Sequence, residues 1–172
     1  MQKLIFISYK RAEPTFEIAK RMDQKIRVNL KALGFASWWD KRSIEAGDPW
    51  SDEIDKALDG TTHFLSLLSD DYWDSEQCQR ELLGAVERFE QTGTPRLLFV
   101  LTQKMNPNAL QIAADGRSAN VVTKFPKVTR LGQINFLGPY DKAGRLIRLD
   151  RANPASLEDQ LFDLVDDIGR LP

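Results

Sequence analysis

The chain has 172 residues and a nearly balanced charge, with 24 Lys and Arg against 25 Asp and Glu, so we expect a self-supporting domain that does not bind nucleic acid directly. Its one cysteine, Cys78, excludes an internal disulfide and a Cys-rich zinc site and favours a reducing compartment. The first apolar run, residues 4–7, is too short for a signal peptide, and no later run is long enough to span a membrane. These features predict a soluble, cytoplasmic protein without membrane contact.

Apolar runs of strand length alternate with amphipathic stretches of helix length, which predicts an α/β domain with a parallel sheet. Most of these runs are continuously apolar, as expected for strands that helices cover on both faces. Five strands are predicted, at residues 4–9, 35–39, 63–68, 97–101 and 134–137. The expected fold is therefore a five-stranded, doubly wound parallel sheet that occupies residues 1–172 as a single domain.

The spacing of apolar residues, together with capping residues, predicts four helices. The first lies between Pro14 and Gly34, and the second begins at an Asp48 cap with Pro49 in its first position and ends at Gly60. The other two run from Ser75 to Gly93 and from a capping box at Ser156 to Gly169. Residues 102–133 form a long polar stretch whose only regular signal is a weak helical patch at residues 110–114.

Several nucleotide-binding and hydrolytic chemistries are excluded by missing motifs. The chain has neither the G-x-G of a dinucleotide-binding turn nor a P-loop. Its only histidine, His63, lies within a predicted strand, which favours a buried structural role and leaves no catalytic triad or zinc cluster. A phosphoacceptor receiver domain needs clustered acids after strand one, but the sequence there is Ser8-Tyr9-Lys10-Arg11.

In a doubly wound sheet the ligand site lies beyond the carboxyl ends of the strands, where the strand order reverses. Three segments are expected to converge there, namely residues 8–11, 40–50 and 69–81. Within the last segment, Glu81 lies at the edge of the apolar helix stripe, one turn after Cys78, and is the best catalytic candidate. Periodicity alone favours a solvated surface glutamate, so spacing does not decide between the two interpretations.

Four segments of the chain read IFISY at residues 5–9, WDKRSIEAGD at 39–48, LSLLS at 65–69 and SEQCQREL at 75–82. In order and spacing they resemble the conserved boxes of the Toll/interleukin-1 receptor (TIR) domain family. The resemblance covers nearly the whole chain and implies a five-stranded, flavodoxin-like parallel sheet. Residues 42–50, from Arg42 to Trp50, look like the family's BB loop, which makes contacts between copies.

The family has an adaptor-like branch that acts by assembly and a branch, common in bacteria and plants, that cleaves NAD+ at the nicotinamide N-glycosidic bond. In the enzymatic branch a catalytic glutamate lies in an S-x-x-C-x-x-E-like context, which Ser75, Cys78 and Glu81 match. The resemblance therefore implies that Glu81 is catalytic. Four residues earlier, where that branch often has tryptophan, this chain has Gln77, and we expect Trp73 or Trp50 to replace the missing wall of the nicotinamide pocket.

The same resemblance implies the other substrate-binding residues. Tyr9, Lys10 and Arg11 are expected to line the site, with a cation facing the pyrophosphate. Asp40 is expected to bind adenosine-side hydroxyls or to orient the loop. Gly47, Asp48 and Trp50 are expected to contact the substrate from the BB loop. NAD+ is the substrate in this interpretation, so neither a bound cofactor nor a metal is expected.

The resulting hypothesis is an NAD+ nucleosidase that releases nicotinamide together with ADP-ribose or a cyclic ADP-ribose isomer. We expect it to be activated by self-association through residues 42–50 and to act in bacterial antiphage defence or cell-suicide signalling, alone or joined to a sensor domain. Residues 103–151 carry nine Lys and Arg against three Asp, whereas the last helix is acidic, which suits head-to-tail contacts or simply two solvated faces. The alternative is a non-enzymatic adaptor that acts only by TIR–TIR assembly.

Overall fold

Four parallel strands form the main sheet of the computed structural model, which describes residues 2–39, 50–103, 105–122 and 133–172. The strands are β1 (Lys3–Tyr9), β2 (Phe35–Trp38), β3 (His63–Leu68) and β4 (Arg96–Leu101), in the order β2-β1-β3-β4. Their bounds agree with the first four predicted strands to within one residue at each end. The strand order reverses between β1 and β3, so the chain has the predicted doubly wound topology.

Helices cover both faces of this sheet, as predicted. They are α1 (Thr15–Asn29), α2 (Trp50–Asp59), α3 (Asp70–Asp74), α4 (Glu76–Thr92) and α5 (Pro154–Arg170). Side chains of β1 alternate between two cores, because Ile5 and Ile7 pack with α1 and α5, whereas Phe6 packs with α2 and α4. Among the described residues, no helix has the length and apolar character needed to cross a membrane.

The prediction of a fifth parallel strand at residues 134–137 is wrong. Residues 133–135 instead form β7 (Gln133–Asn135), which pairs antiparallel with β6 (Ser118–Val121) in a separate small sheet. The chain then passes beside β4, where the Leu137 amide donates to the Phe99 carbonyl at 2.8 Å. The pairing stops at a single parallel bridge, because Gly138 has a φ of +143° and the next residue, Pro139, has no N–H to donate.

The weak helical prediction at residues 110–114 is also wrong. These residues begin with β5 (Leu110–Ile112), which forms a hairpin with β6. The turn is set by Asp115, whose Oδ1 accepts hydrogen bonds from the backbone amides of Arg117 and Ser118 at 2.8 and 2.9 Å. Gly116 follows with a φ of +66°, so local turn chemistry prevails over the helical spacing.

Most predicted helix ends are close to the observed ones. The Oγ of Ser75 caps α4 by accepting the Cys78 amide at 3.4 Å, and Gly93 ends that helix in the left-handed conformation. The last helix starts earlier than predicted, because Asn153 rather than Ser156 caps it, accepting two backbone amides of the first turn. The predicted Asp48 cap and Pro49 lie outside the described residues.

Candidate active site

A narrow cleft lies at the carboxyl ends of β1 and β2, next to the point where the strand order reverses. Residues from both strands and from α4 line it: Ile7, Tyr9, Arg11, Trp38, Gln77 and Glu81. Its free volume of about 10 Å³ has room for about one water molecule. Two of the three segments expected to converge here do so, while residues 40–49 of the other segment lie outside the described residues.

Glu81 is the buried charged residue among those that line this cleft. Its side chain is 3 % exposed, so it is more deeply buried than its position at the edge of the helix stripe predicts. The Ser8 Oγ donates to Glu81 Oε2 at 2.6 Å, and the Gln77 Nε2 donates to Glu81 Oε1 at 2.8 Å. Because each carboxylate oxygen accepts a hydrogen bond, the charge is compensated despite its burial.

Three buried hydroxyl groups continue behind the carboxylate. Ser8 and Ser66 are opposite each other in the register of β1 and β3, and Tyr72 of α3 lies over both. The Tyr72 hydroxyl is 3.0 Å from the Ser8 Oγ and 3.3 Å from the Ser66 Oγ. Sequence reasoning missed Ser66 and Tyr72, although a serine within an apolar, fully buried strand is itself a signal of a polar partner.

Of the three residues predicted at the end of β1, Tyr9 and Arg11 line the cleft, and Lys10 does not. Tyr9 is buried, and its ring contacts Phe16 and Trp39 at centroid distances of 6.3 and 6.0 Å. Arg11 is exposed at the rim. Lys10 is half-buried, and its charge acts on the neighbouring Cys78 thiol.

One of the two tryptophans predicted to form a wall of the site is placed differently. Trp73 is buried in the core on the α4 side, with its ring edge-on to Tyr72 at 5.7 Å, and it does not line the cleft. Trp38 lines the cleft instead, with its ring stacked on Phe6 at a centroid distance of 4.4 Å. Trp50 begins α2, but its side chain is not among those described, and Asp40, Gly47 and Asp48 lie outside the described residues.

The single histidine is remote from this chemistry. His63 is the first residue of β3 and therefore lies at the opposite end of the strand from the cleft. Burial lowers the pKa of His63 to about 4, and the charges of Lys3 and Arg96 act in the same direction. Its Nδ1 is 2.9 Å from the Thr62 Oγ1. This agrees with the predicted structural role of a buried, neutral imidazole.

Cys78 is expected to react slowly with thiol reagents in the native protein. Burial, with the nearby Glu81 carboxylate as a second cause, raises the pKa of the Cys78 thiol to about 12, so almost no thiolate forms at pH 8. The absorbance change with Ellman's reagent should therefore develop at least about 100-fold more slowly in the folded protein than in urea. Equal rates in the two states would contradict this prediction.

The doubly wound sheet and its cleft define an α/β domain with a cleft at the carboxyl ends of its strands. The chain matches the model of the TIR domain family over residues 5–127, and it therefore belongs to that family. This confirms the resemblance on which the sequence interpretation depends. No curated protein sequence matches the chain significantly.

Two solved structures have the same fold at low sequence identity. The TIR domains of the activated Roq1 resistosome, which directly recognises the pathogen effector XopQ, are 15 % identical with a TM-score of 0.51, over 96 % of this chain and 84 % of that chain. A prokaryotic SEFIR domain is 13 % identical with a TM-score of 0.55, over 99 % of this chain and 95 % of that chain. At these identities the similarity concerns the fold alone.

Proposed function

We propose that this TIR domain cleaves NAD+ at the nicotinamide N-glycosidic bond, with Glu81 as the catalytic carboxylate. The observation that carries the proposal is the buried Glu81 side chain, which is held by Ser8 and Gln77 at the carboxyl edge of the sheet. A carboxylate at this position is costly to bury, and its placement in a cleft is typical of a functional group. The S-x-x-C-x-x-E context of Ser75, Cys78 and Glu81 supports the same assignment.

A single carboxylate suffices for this reaction. The bond between the ribose C1′ and the nicotinamide nitrogen breaks, and its electron pair stays on the nitrogen. Nicotinamide leaves as a neutral molecule from a cationic ring, so no general acid is required. Positive charge develops on the ribose, and the carboxylate of Glu81 stabilises it electrostatically.

The ribosyl cation is then captured by a nucleophile. Capture by water gives ADP-ribose and releases one proton. Capture by a hydroxyl or by the adenine ring of the same molecule gives a cyclic ADP-ribose isomer and also releases one proton. Both outcomes are NAD+ nucleosidase reactions, and chromatography of the products distinguishes them.

The residues around Glu81 suit the remaining parts of the substrate. Arg11 provides a cation at the rim for the pyrophosphate. Trp38, held by its stack on Phe6, provides an aromatic wall beside Gln77, where the enzymatic branch often has a tryptophan. NAD+ is consumed as a substrate and is not a resident cofactor.

Self-association is the proposed mode of activation. The described cleft holds about one water molecule, so a dinucleotide enters only if the cleft widens. In the proposal, contacts between copies through residues 42–50 promote the open state, in the cytoplasm of a bacterium responding to phage. The TIR domains of Roq1, which share the fold, belong to an activated resistosome.

The rate of nicotinamide release is expected to rise faster than linearly with protein concentration, because the active species contains more than one copy. Initial rates across a hundredfold concentration range, with and without a crowding agent, measure this dependence. A strictly linear dependence would show that each copy acts alone.

The decisive experiment measures nicotinamide release from NAD+ by the purified chain at high concentration, with products separated by chromatography. Release supports the enzyme, and the product peaks separate hydrolysis from cyclisation. If the folded, clustered protein releases no nicotinamide, the alternative of a non-enzymatic assembly module is favoured. The glutamine at position 77 is the observation that keeps this alternative open.

A further inference from the structure

The three hydroxyl groups behind Glu81 lie in a core whose packing could be achieved with apolar side chains alone. Ser8 and Ser66 occupy strands whose other side chains on this face are large and apolar, such as Phe6 and Phe64. Burying hydroxyls in such surroundings is unfavourable unless each one has a hydrogen-bond partner. These hydroxyls form a hydrogen-bonded chain that runs from Ser66 through Tyr72 and Ser8 and ends at the Glu81 carboxylate. Because the carboxylate accepts, the hydrogen bonds of the chain are directed toward it.

The number of hydroxyl hydrogens determines which side chain donates in each of these hydrogen bonds. Ser8 has one hydroxyl hydrogen, and its 2.6 Å contact with Glu81 Oε2 has the length of a charge-assisted hydrogen bond. An ionised carboxylate only accepts hydrogen bonds, so Ser8 is the donor in this pair. At its 3.0 Å contact with Tyr72, Ser8 must therefore accept.

Tyr72 is suited to be the donor to Ser8. Its side chain is fully buried, and burial raises the pKa of Tyr72 well above its ordinary value, so the phenol keeps its hydrogen. This single hydrogen has two acceptors within reach, Ser8 at 3.0 Å and Ser66 at 3.3 Å. Donation to Ser8 satisfies the shorter contact and keeps the Ser8 hydrogen directed at the carboxylate.

We propose that Ser8 is a positioning residue for Glu81 and that Tyr72 fixes the orientation of the Ser8 hydroxyl. The inference rests on the proposed NAD+ cleavage. Gln77, which also donates to Glu81, belongs to the same helix as Glu81 and is half-buried, whereas Ser8 belongs to a central strand. Ser8 therefore fixes the carboxylate relative to the sheet, at the distance from the ribose on which electrostatic stabilisation depends.

The test compares four variants in steady-state nicotinamide release. Ser8→Ala should lower kcat by about 10-fold or more while KM stays within about twofold, because substrate contacts remain and only the orientation of the carboxylate is lost. Tyr72→Phe should give a smaller loss of the same kind. Ser8→Thr keeps the hydroxyl and should retain most of the activity.

Ser118→Ala is the matched control. Ser118 is a buried serine whose Oγ also donates to a carboxylate, Asp115 Oδ2, at 2.6 Å, but it belongs to β6 and does not line the cleft. Its kcat should equal that of the wild type. A general loss of packing would instead lower the activity of the Ser118 and Ser8 variants alike, and thermal unfolding of each variant reports the folded fraction.

Crystal structures of the wild type and of Ser8→Ala provide a readout that does not depend on activity. The Glu81 carboxylate should leave its position beside β1 in the variant. An unmoved carboxylate, or an unchanged kcat in Ser8→Ala, would overturn the positioning role. If the wild type releases no nicotinamide, the proposed function fails, and the carboxylate position in Ser8→Ala still decides the structural part of the inference.

Discussion

A Glu81→Gln protein is expected to release nicotinamide from NAD+ about 1000-fold more slowly than the wild type, because the substitution removes the charge that faces the developing ribosyl cation. The side chain keeps nearly the same shape and one oxygen that can accept from Ser8. The Gln77 amide can rotate to accept from the new NH₂ group, so the buried site stays hydrogen-bonded. The loss should therefore appear in kcat rather than in stability.

Glu87→Gln is the matched control for this substitution. Glu87 belongs to the same helix, α4, but it is exposed and does not line the cleft. Its variant should release nicotinamide at the wild-type rate. If a folded Glu81→Gln protein kept most of its activity, the catalytic carboxylate would have to be another residue.

The strands of the main sheet could be predicted because their sequences are mostly apolar. Residues 63–68 are a buried run bounded by Gly60 and Ser69, and helices on both faces leave no alternative for such a segment. Segments with local turn chemistry were harder to predict. Asp115 and Gly116 close a hairpin through backbone hydrogen bonds, which the apolar spacing of residues 110–114 does not reveal.

The candidate site was only partly predictable for a related reason. Periodicity places Glu81 at the edge of a helix face, but it does not reveal the Ser8 hydroxyl that makes the burial of this carboxylate tolerable. The sequence predicts an aromatic wall from Trp73 or Trp50, but Trp73 does not line the cleft. Trp38 does, because the strand register pairs it with Phe6, and such a contact between neighbouring strands is set by tertiary structure.

Replacing Phe6 by alanine is expected to lower the free energy of unfolding by about 3 to 5 kcal/mol. Phe6 is fully buried in the central strand β1, between the rings of Trp38 at 4.4 Å and Phe64 at 5.2 Å. Removing the ring leaves a cavity that neighbours on a rigid sheet cannot fill. Urea unfolding measures the change, and Phe162→Ala, where 53 % of the residue is exposed, should shift stability by less than about 0.5 kcal/mol.

The Phe6→Ala substitution is also expected to change substrate binding in the cleft. Trp38 is held against Phe6 on one side and lines the cleft with Glu81, so loss of the Phe6 ring removes the support of the proposed aromatic wall. Under conditions in which the Phe6→Ala protein is still folded, KM for NAD+ should rise more than kcat falls, because the wall binds substrate while Glu81 keeps its partners. An unchanged KM would mean that the nicotinamide ring does not bind against Trp38. A loss of stability below about 1 kcal/mol would mean that neighbouring side chains close the cavity left by the Phe6 ring.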